Sequence, residues 1–238
     1  MNFTTKMSKQ LIFPFDSDQY PKINNFFYSS NNEVLINIIK DSICADNNEN
    51  FFIYGERDSG KSFLLQAICN EYFANGRKSI YIPMAKAIDM QASMLENLNE
   101  LDAVCIDDFT KFYHSTEWQI AFFNLINQCV LSKCSLYVSS DEGISEGVVF
   151  TDLMSRIKKM HVYEVKKIAD GELSQALKFC AERNGINLNN EVINYLTTRE
   201  TRIFNKLFLL IKEIDLLSAQ EKRKITVPFV KEMLNRIN

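Results

Sequence analysis

Eight consecutive residues constrain this chain more than anything else in it. Gly55, Glu56, Arg57, Asp58, Ser59, Gly60, Lys61 and Ser62 fit the pattern G-x-x-x-x-G-K-[ST], with Phe63 continuing into an apolar run. The pattern has meaning only between a strand and a helix, and the flanks supply both. Residues 51–54 read Phe-Phe-Ile-Tyr, a short β-rich run. Phe63, Leu64, Leu65, Ala67, Ile68 and Tyr72 recur at helical spacing. A loop bounded by glycines there turns backbone N–H groups inward as an anion nest, and the following helix adds its N-terminal partial charge. Lys61 supplies a full positive charge and Ser62 a hydroxyl suited to Mg2+. The chain is therefore expected to cradle the phosphates of a nucleotide.

The rest of the chain suits such a loop. Residues 32–43 carry Val34, Leu35, Ile38, Ile39 and Ile43 at helical spacing. Residues 79–82, 103–106, 135–138 and 162–165 read as further strands, with a helix over 117–131. Strands alternating with helices predict an α/β fold with a parallel sheet flanked by helices on both faces. Beyond residue 168 the strands stop. Helical patterns follow at 172–184, 190–198, 202–219 and 227–237, the last with Pro228 in its first turn. The expected organisation is an extended arm over 1–20, an α/β part over 21–167 and a small all-helical part over 168–238.

Composition narrows the classes. No apolar run approaches the ~20 residues of a membrane helix, and the first ten residues lack a signal-peptide core, so a cytoplasmic protein is expected. The six cysteines, Cys44, Cys69, Cys105, Cys129, Cys134 and Cys180, form no Cys-x-x-Cys pair and read as reduced core thiols. His114 and His161 have no partner at metal-ligand spacing. The net charge of −3 does not suit strong direct DNA binding, and the short basic run Lys222, Arg223, Lys224 reads as a solvated turn between helices.

Asp107 and Asp108 end a strand of apolar residues. One carboxylate there can reach Mg2+ and the second can polarise a water, although such a pair also suits a turn or a cap. Asp141 ends the next strand, on the sheet edge where ligands bind, and reads as a γ-phosphate sensor or a turn former. Arg156, after a small helix, reads either as surface charge or as an arginine projected into a neighbouring subunit's site.

Together, the P-loop, Asp107 and Asp108, Asp141, Arg156 and the helical tail resemble the DnaA family of AAA+ ATPases. The ending Ile225, Thr226, Val227, Pro228, Phe229, Val230, Lys231, Glu232 is similar to the last lid helix of a regulator within that family. The early Gln10, Leu11, Ile12, Phe13, Pro14, Phe15 looks like that regulator's sliding-clamp-binding peptide. As a hook it is physically reasonable: three apolar side chains on an arm need a cover, either a partner or the core itself. By resemblance, residues 25–33 wrap the adenine, with Phe27 and Tyr28 stacking on it or packing in the core. The family also places a lid arginine against the phosphates. Ungapped counting back from Lys224, Ile225, Thr226 puts Asn205 at that position, and Arg202, one turn earlier, is assigned the role.

The resemblance implies a regulator of chromosomal replication initiation that holds ADP or ATP with Mg2+. It would dock on DnaA, be tethered to the β sliding clamp of DNA polymerase III, and promote hydrolysis of DnaA-bound ATP through Arg156 in trans. Its own ATPase activity would be weak or absent, and self-association into a homo-oligomer stays open. A DNA-binding domain beyond the lid is not expected. The alternatives are a self-sufficient ATPase such as a helicase loader, or a DNA-binding initiator fragment.

Overall fold

The computed structural model of the protein describes residues 21–45, 47–145, 149–199 and 202–237. The expected arm over residues 1–20, with the hook at 10–15, lies outside the described residues. The chain runs through α1 (Ser30–Cys44), β1 (Asn50–Tyr54), α2 (Lys61–Ala74), β2 (Ser79–Pro83), α3 (Met84–Ala87), β3 (Ala103–Asp107), α4 (Thr116–Leu131), β4 (Ser135–Ser140), α5 (Thr151–Ile157) and β5 (His161–Glu164). The strands form one parallel sheet in the order β2-β3-β4-β1-β5.

Alternation along the strands divides the interior in two. Phe52, Val104, Ile106, Leu136 and Val138 face one side, where α4 and α5 contribute Phe122, Leu125, Ile126, Leu153 and Ile157. Phe51, Ile53, Ala103, Cys105 and Tyr137 face the other, against Leu35, Ile36 and Ile39 of α1 and Leu64, Leu65 and Ile68 of α2. Both faces are covered, as parallel sheets require. The central strand β4 is buried throughout, whereas the edge strand β5 is mostly exposed. The four short runs expected as strands after β1 all appear. Helix α4 begins one residue earlier than its pattern predicts, because the Ser115 hydroxyl accepts the Trp118 N–H at 3.4 Å and caps it. The short α3 and the 3-10 turns at Ala92–Leu95 and Leu98–Glu100 carry too few residues to show a period.

Four helices follow: α6 (Leu173–Arg183), α7 (Asn190–Arg199), α8 (Phe204–Glu221) and α9 (Val227–Ile237). They close over their own core of Leu177, Val192, Leu196, Leu207, Ile211, Phe229 and Met233. The basic run lies in the turn between α8 and α9. Lys222 there is left-handed, and Arg223 pairs with Glu221 and Glu232 at 2.9 and 3.0 Å. Helix α8 starts at Phe204, not at 202. Ile203 is extended (φ −83°, ψ 112°) and breaks the pattern, so Arg202 does not share a helical face with Asn205.

All six cysteines are free. Cys105, Cys129, Cys134 and Cys180 are buried and Cys69 is partly so, but Cys44, at the end of α1, is exposed.

Candidate functional site

The strand order decides what meets at the carboxyl edge of the sheet. β1 sits beside β4, with Tyr54 level with Ser140, so the loop after β1 begins next to Asp141. β4 also borders β3, with Ile106 level with Val138, so Asp107 and Asp108 end beside Ser139. The sequence-predicted loop and acids therefore share one edge.

The loop is tightly fixed. Gly55 donates its N–H to the Ser140 carbonyl at 3.1 Å, and a Cβ on Gly55 would lie 2.3 Å from the Val165 carbonyl oxygen. Asp58 (φ 64°) and Gly60 (φ 96°) are left-handed, the geometry that curls successive N–H groups into a nest. A Cβ on Gly60 would come within 2.7 Å of the Phe26 ring. Phe26 is buried and stacks on Phe63 and Tyr28 at 5.9 and 6.4 Å between centroids. Gly60→Ala is therefore expected to lower stability by about 2 kcal/mol through backbone strain and displacement of Phe26. Thermal unfolding should show the midpoint falling by roughly 4–8 °C.

Lys61 opens α2 and is 93% buried (7% exposed). Its ammonium donates to the Gly55 carbonyl at 2.6 Å and the Glu56 carbonyl at 2.9 Å, and lies 3.3 Å from Asp141 Oδ1. Asp141 Oδ2 accepts from Arg57 Nε at 3.0 Å. Partial burial opposes ionisation of Asp141, but the Arg57 hydrogen bond and the Lys61 charge outweigh it and hold its carboxyl below the usual range. A carboxyl with a depressed folded value contributes stability above the unfolded value, about 3.9, and loses it as pH falls through the folded value. The stability difference between the wild type and Asp141→Asn should thus be full at neutral pH and close in acid below about pH 4. Thermal unfolding of both proteins across pH checks this.

The three residues at the loop's tip each reach a different element. Glu56 pairs with Lys167 at 2.7 Å, Arg57 with Asp141, and Asp58 Oδ1 accepts from Asn205 Nδ2 of α8 at 3.0 Å. Asn205 is thus a lid side chain that touches the phosphate loop. Arg202 instead pairs with Asp170 at 2.8 Å in an exposed ion pair. Ser62 is exposed in the first turn of α2.

Asp107 accepts from Tyr81 OH at 2.6 Å and from Ser139 Oγ at 2.5 Å. Asp108 is left-handed (φ 72°), accepts from Thr110 Oγ1 and lies 3.8 Å from Lys111 Nζ. Ser62 and Asp107 offer hard oxygen donors of the kind Mg2+ takes alongside phosphate and water. Asp107 keeps one acceptor direction on each oxygen, so the residues fit that ion.

Phe27 and Tyr28 line a cavity of about 350 Å³ with Asn24, Phe26, Lys40, Phe179 and Arg183. Phe27 meets Phe179 edge-on at 5.7 Å, and Arg183 lies over the Phe179 ring. This aromatic cleft is within the size range of small-ligand sites and adjoins Gly60 through Phe26. Lys40, Phe179 and Arg183 were not legible as site residues, because α1 and α6 bring them together from distant parts of the chain. A larger groove of about 590 Å³, between residues 92–97 and α4, contains none of the motif residues. Arg156 lies apart from the loop in the last turn of α5, not after it; it is half-buried and makes no ion pair with a described residue.

A parallel sheet in this order, a P-loop between β1 and α2, an acidic pair ending β3 and a helical lid define an AAA+ P-loop protein. The family profile for the bacterial DnaA ATPase domain matches residues 17–162, and that for the Hda lid domain matches residues 170–234. The chain belongs to the Hda/DnaA family. An uncharacterised protein of Haemophilus influenzae is 34% identical over 231 residues, covering 96% of this chain and 100% of that one. Domain III of the Thermotoga maritima replication initiation protein DnaA superposes with a TM-score of 0.76 at 21% identity, over 94% of this chain and 98% of that one. AMPPCP-bound DnaA from Aquifex aeolicus gives 0.69 at 24% identity, over 82% and 65%. These two likenesses establish the fold. Among the described residues no helix is long and apolar enough to cross a membrane.

Proposed function

We propose that the protein is a nucleotide-held regulator of replication initiation whose chemical effect occurs in the ATP site of DnaA. The observation that carries the nucleotide part is the cradle. A buried lysine, two left-handed loop residues and a helix N-terminus converge where phosphates would sit. The ligand is ADP or ATP. Its phosphates would take Lys61 from the loop carbonyls and Asp141, Ser62 and Asp107 would face Mg2+, and the base would enter the cleft beside Phe27 and Tyr28. The solved neighbour that holds AMPPCP supports a nucleotide here by analogy. On the lid, Asn205 faces the loop. Arg202 would take the phosphate-facing role only by exchanging Asp170 for the ligand.

The regulatory part rests on the likeness of residues 170–234 to the Hda lid and on Arg156, a guanidinium without a described ionic partner at the end of α5. Docked on DnaA, it would stabilise the charge that develops on the transferring phosphate. Residues 10–15 would hold the protein on the β clamp, concentrating it where DnaA must be switched off, and it would act in the cytoplasm without membrane or strong DNA contact. DnaA-bound ATP should be hydrolysed faster when the protein and DNA-loaded clamp are both added. An unchanged rate would sink the proposal, and a stimulated rate that survives Leu11→Ala/Phe13→Ala would remove the tether.

A self-sufficient ATPase is the second reading, favoured by the presence of Asp108 beside Asp107 at the end of β3. Steady turnover with neither DnaA nor clamp present would support it.

A further inference from the structure

Asp107 is held more firmly than a carboxylate at an exposed strand end needs to be. Its strand β3 lies between β2 and β4, and each neighbour sends it one hydroxyl. Tyr81 is level with Cys105, two residues before Asp107, so both side chains leave the same face of the sheet. The Tyr81 hydroxyl lies 2.6 Å from Asp107 Oδ2. Ser139, level with Asp107 on the other side, places Oγ 2.5 Å from Oδ1. The same Ser139 Oγ accepts the Asp108 N–H at 3.0 Å. One serine thus fixes the side chain of the first acid and the left-handed backbone of the second. An ionised carboxylate only accepts, so the Tyr81 hydroxyl is the donor.

We propose that Tyr81 and Ser139 form a hydroxyl clamp that orients Asp107 toward the nucleotide's Mg2+, making them positioning residues for the metal. The inference rests on the reading of Asp107 as the carboxylate that faces Mg2+. With one hydrogen bond to each oxygen, the carboxylate cannot rotate, and each oxygen keeps one direction for the ion or its water. Removing a partner of this kind weakens metal binding about 10- to 100-fold in metalloproteins generally. The two hydroxyls act on the acids at the end of β3, so the clamp is expected to govern the metal-dependent part of nucleotide affinity.

The test is equilibrium binding of a fluorescent ADP analogue to the full chain, in EDTA and across a Mg2+ titration. Tyr81→Phe and Ser139→Ala are each expected to raise the Mg2+ concentration for half-maximal enhancement about 10-fold. Affinity in EDTA should stay at the wild-type value, and Ser139→Thr, which keeps the hydroxyl, should restore the Mg2+ response. If Asp107→Asn shifts the response and Tyr81→Phe does not, the clamp is refuted while Asp107 keeps its role. If Asp107→Asn leaves the response unchanged, the reading of Asp107 fails and the clamp with it. A parallel fall in affinity with and without Mg2+ would mean that Tyr81 only supports the fold, and would overturn the proposal as well.

Discussion

Lys61→Ala is expected to weaken nucleotide binding by more than 100-fold. The Lys61 side chain is 93% buried, and its ammonium is held by the Gly55 and Glu56 carbonyls and the Asp141 carboxylate. In the proposed complex it exchanges those partners for phosphate oxygens, so its desolvation is already met before ligand arrives. Removing one partner of a desolvated charge pair costs about 3 kcal/mol or more, which is the stated factor. The same change leaves two loop carbonyls and Asp141 short of a donor, so stability without nucleotide should fall too. Lys61→Arg does not restore the site, because the planar guanidinium cannot occupy the point where three acceptors converge on one nitrogen. Titration of a fluorescent ADP analogue, with unfolding monitored in parallel, separates the two losses.

The second large effect belongs to a residue outside this chain's own cradle. Arg156→Ala should leave nucleotide affinity at the wild-type level while reducing stimulation of DnaA-bound ATP hydrolysis about a thousandfold or more, the range found for arginines supplied in trans. Its neighbours Leu153, Met154 and Ile157 anchor α5 in the core, so the truncation removes a charged head and leaves the helix in place. Arg156→Lys should recover only a small part, because a point charge lacks the fork that meets two phosphate oxygens. The expected split, unchanged binding here and lost hydrolysis there, is opposite to that of Lys61→Ala. Equal stimulation by wild type and Arg156→Ala would remove Arg156 from the account.

Much of this could be read before any coordinates. Periodicity placed the strands because each is a short apolar run ending in a turn-forming or acidic residue, and the P-loop names its own flanks. Asp107 and Asp141 could be assigned to the carboxyl edge of the sheet because the strands run parallel and both residues stand at strand ends. Contacts made across the fold were not legible. Phe26, rather than Phe27 or Tyr28, is the ring seated on Gly60, yet all three stand in one aromatic run with nothing local to rank them. Tyr81 reads as a strand former, and its hydroxyl acquires a partner only because β2 pairs with β3. The lid was misjudged at one place for a local reason. Counting one helical turn from Asn205 to Arg202 presumes an unbroken helix, and the extended Ile203 breaks it. What reaches the loop is therefore a neutral amide, on Asp58, while the charged candidate pairs with Asp170.

The central claim is that this chain holds nucleotide as a ligand while the hydrolysed phosphate belongs to its partner. A single-turnover experiment tests it directly: DnaA carries labelled ATP, and this protein is preloaded with a non-hydrolysable ATP analogue or with ADP, in the presence of loaded clamp. The account predicts release of labelled phosphate from DnaA at an accelerated rate while the ligand on this chain stays intact. Acceleration seen only when this chain carries hydrolysable ATP, with that ATP consumed in step, would contradict it.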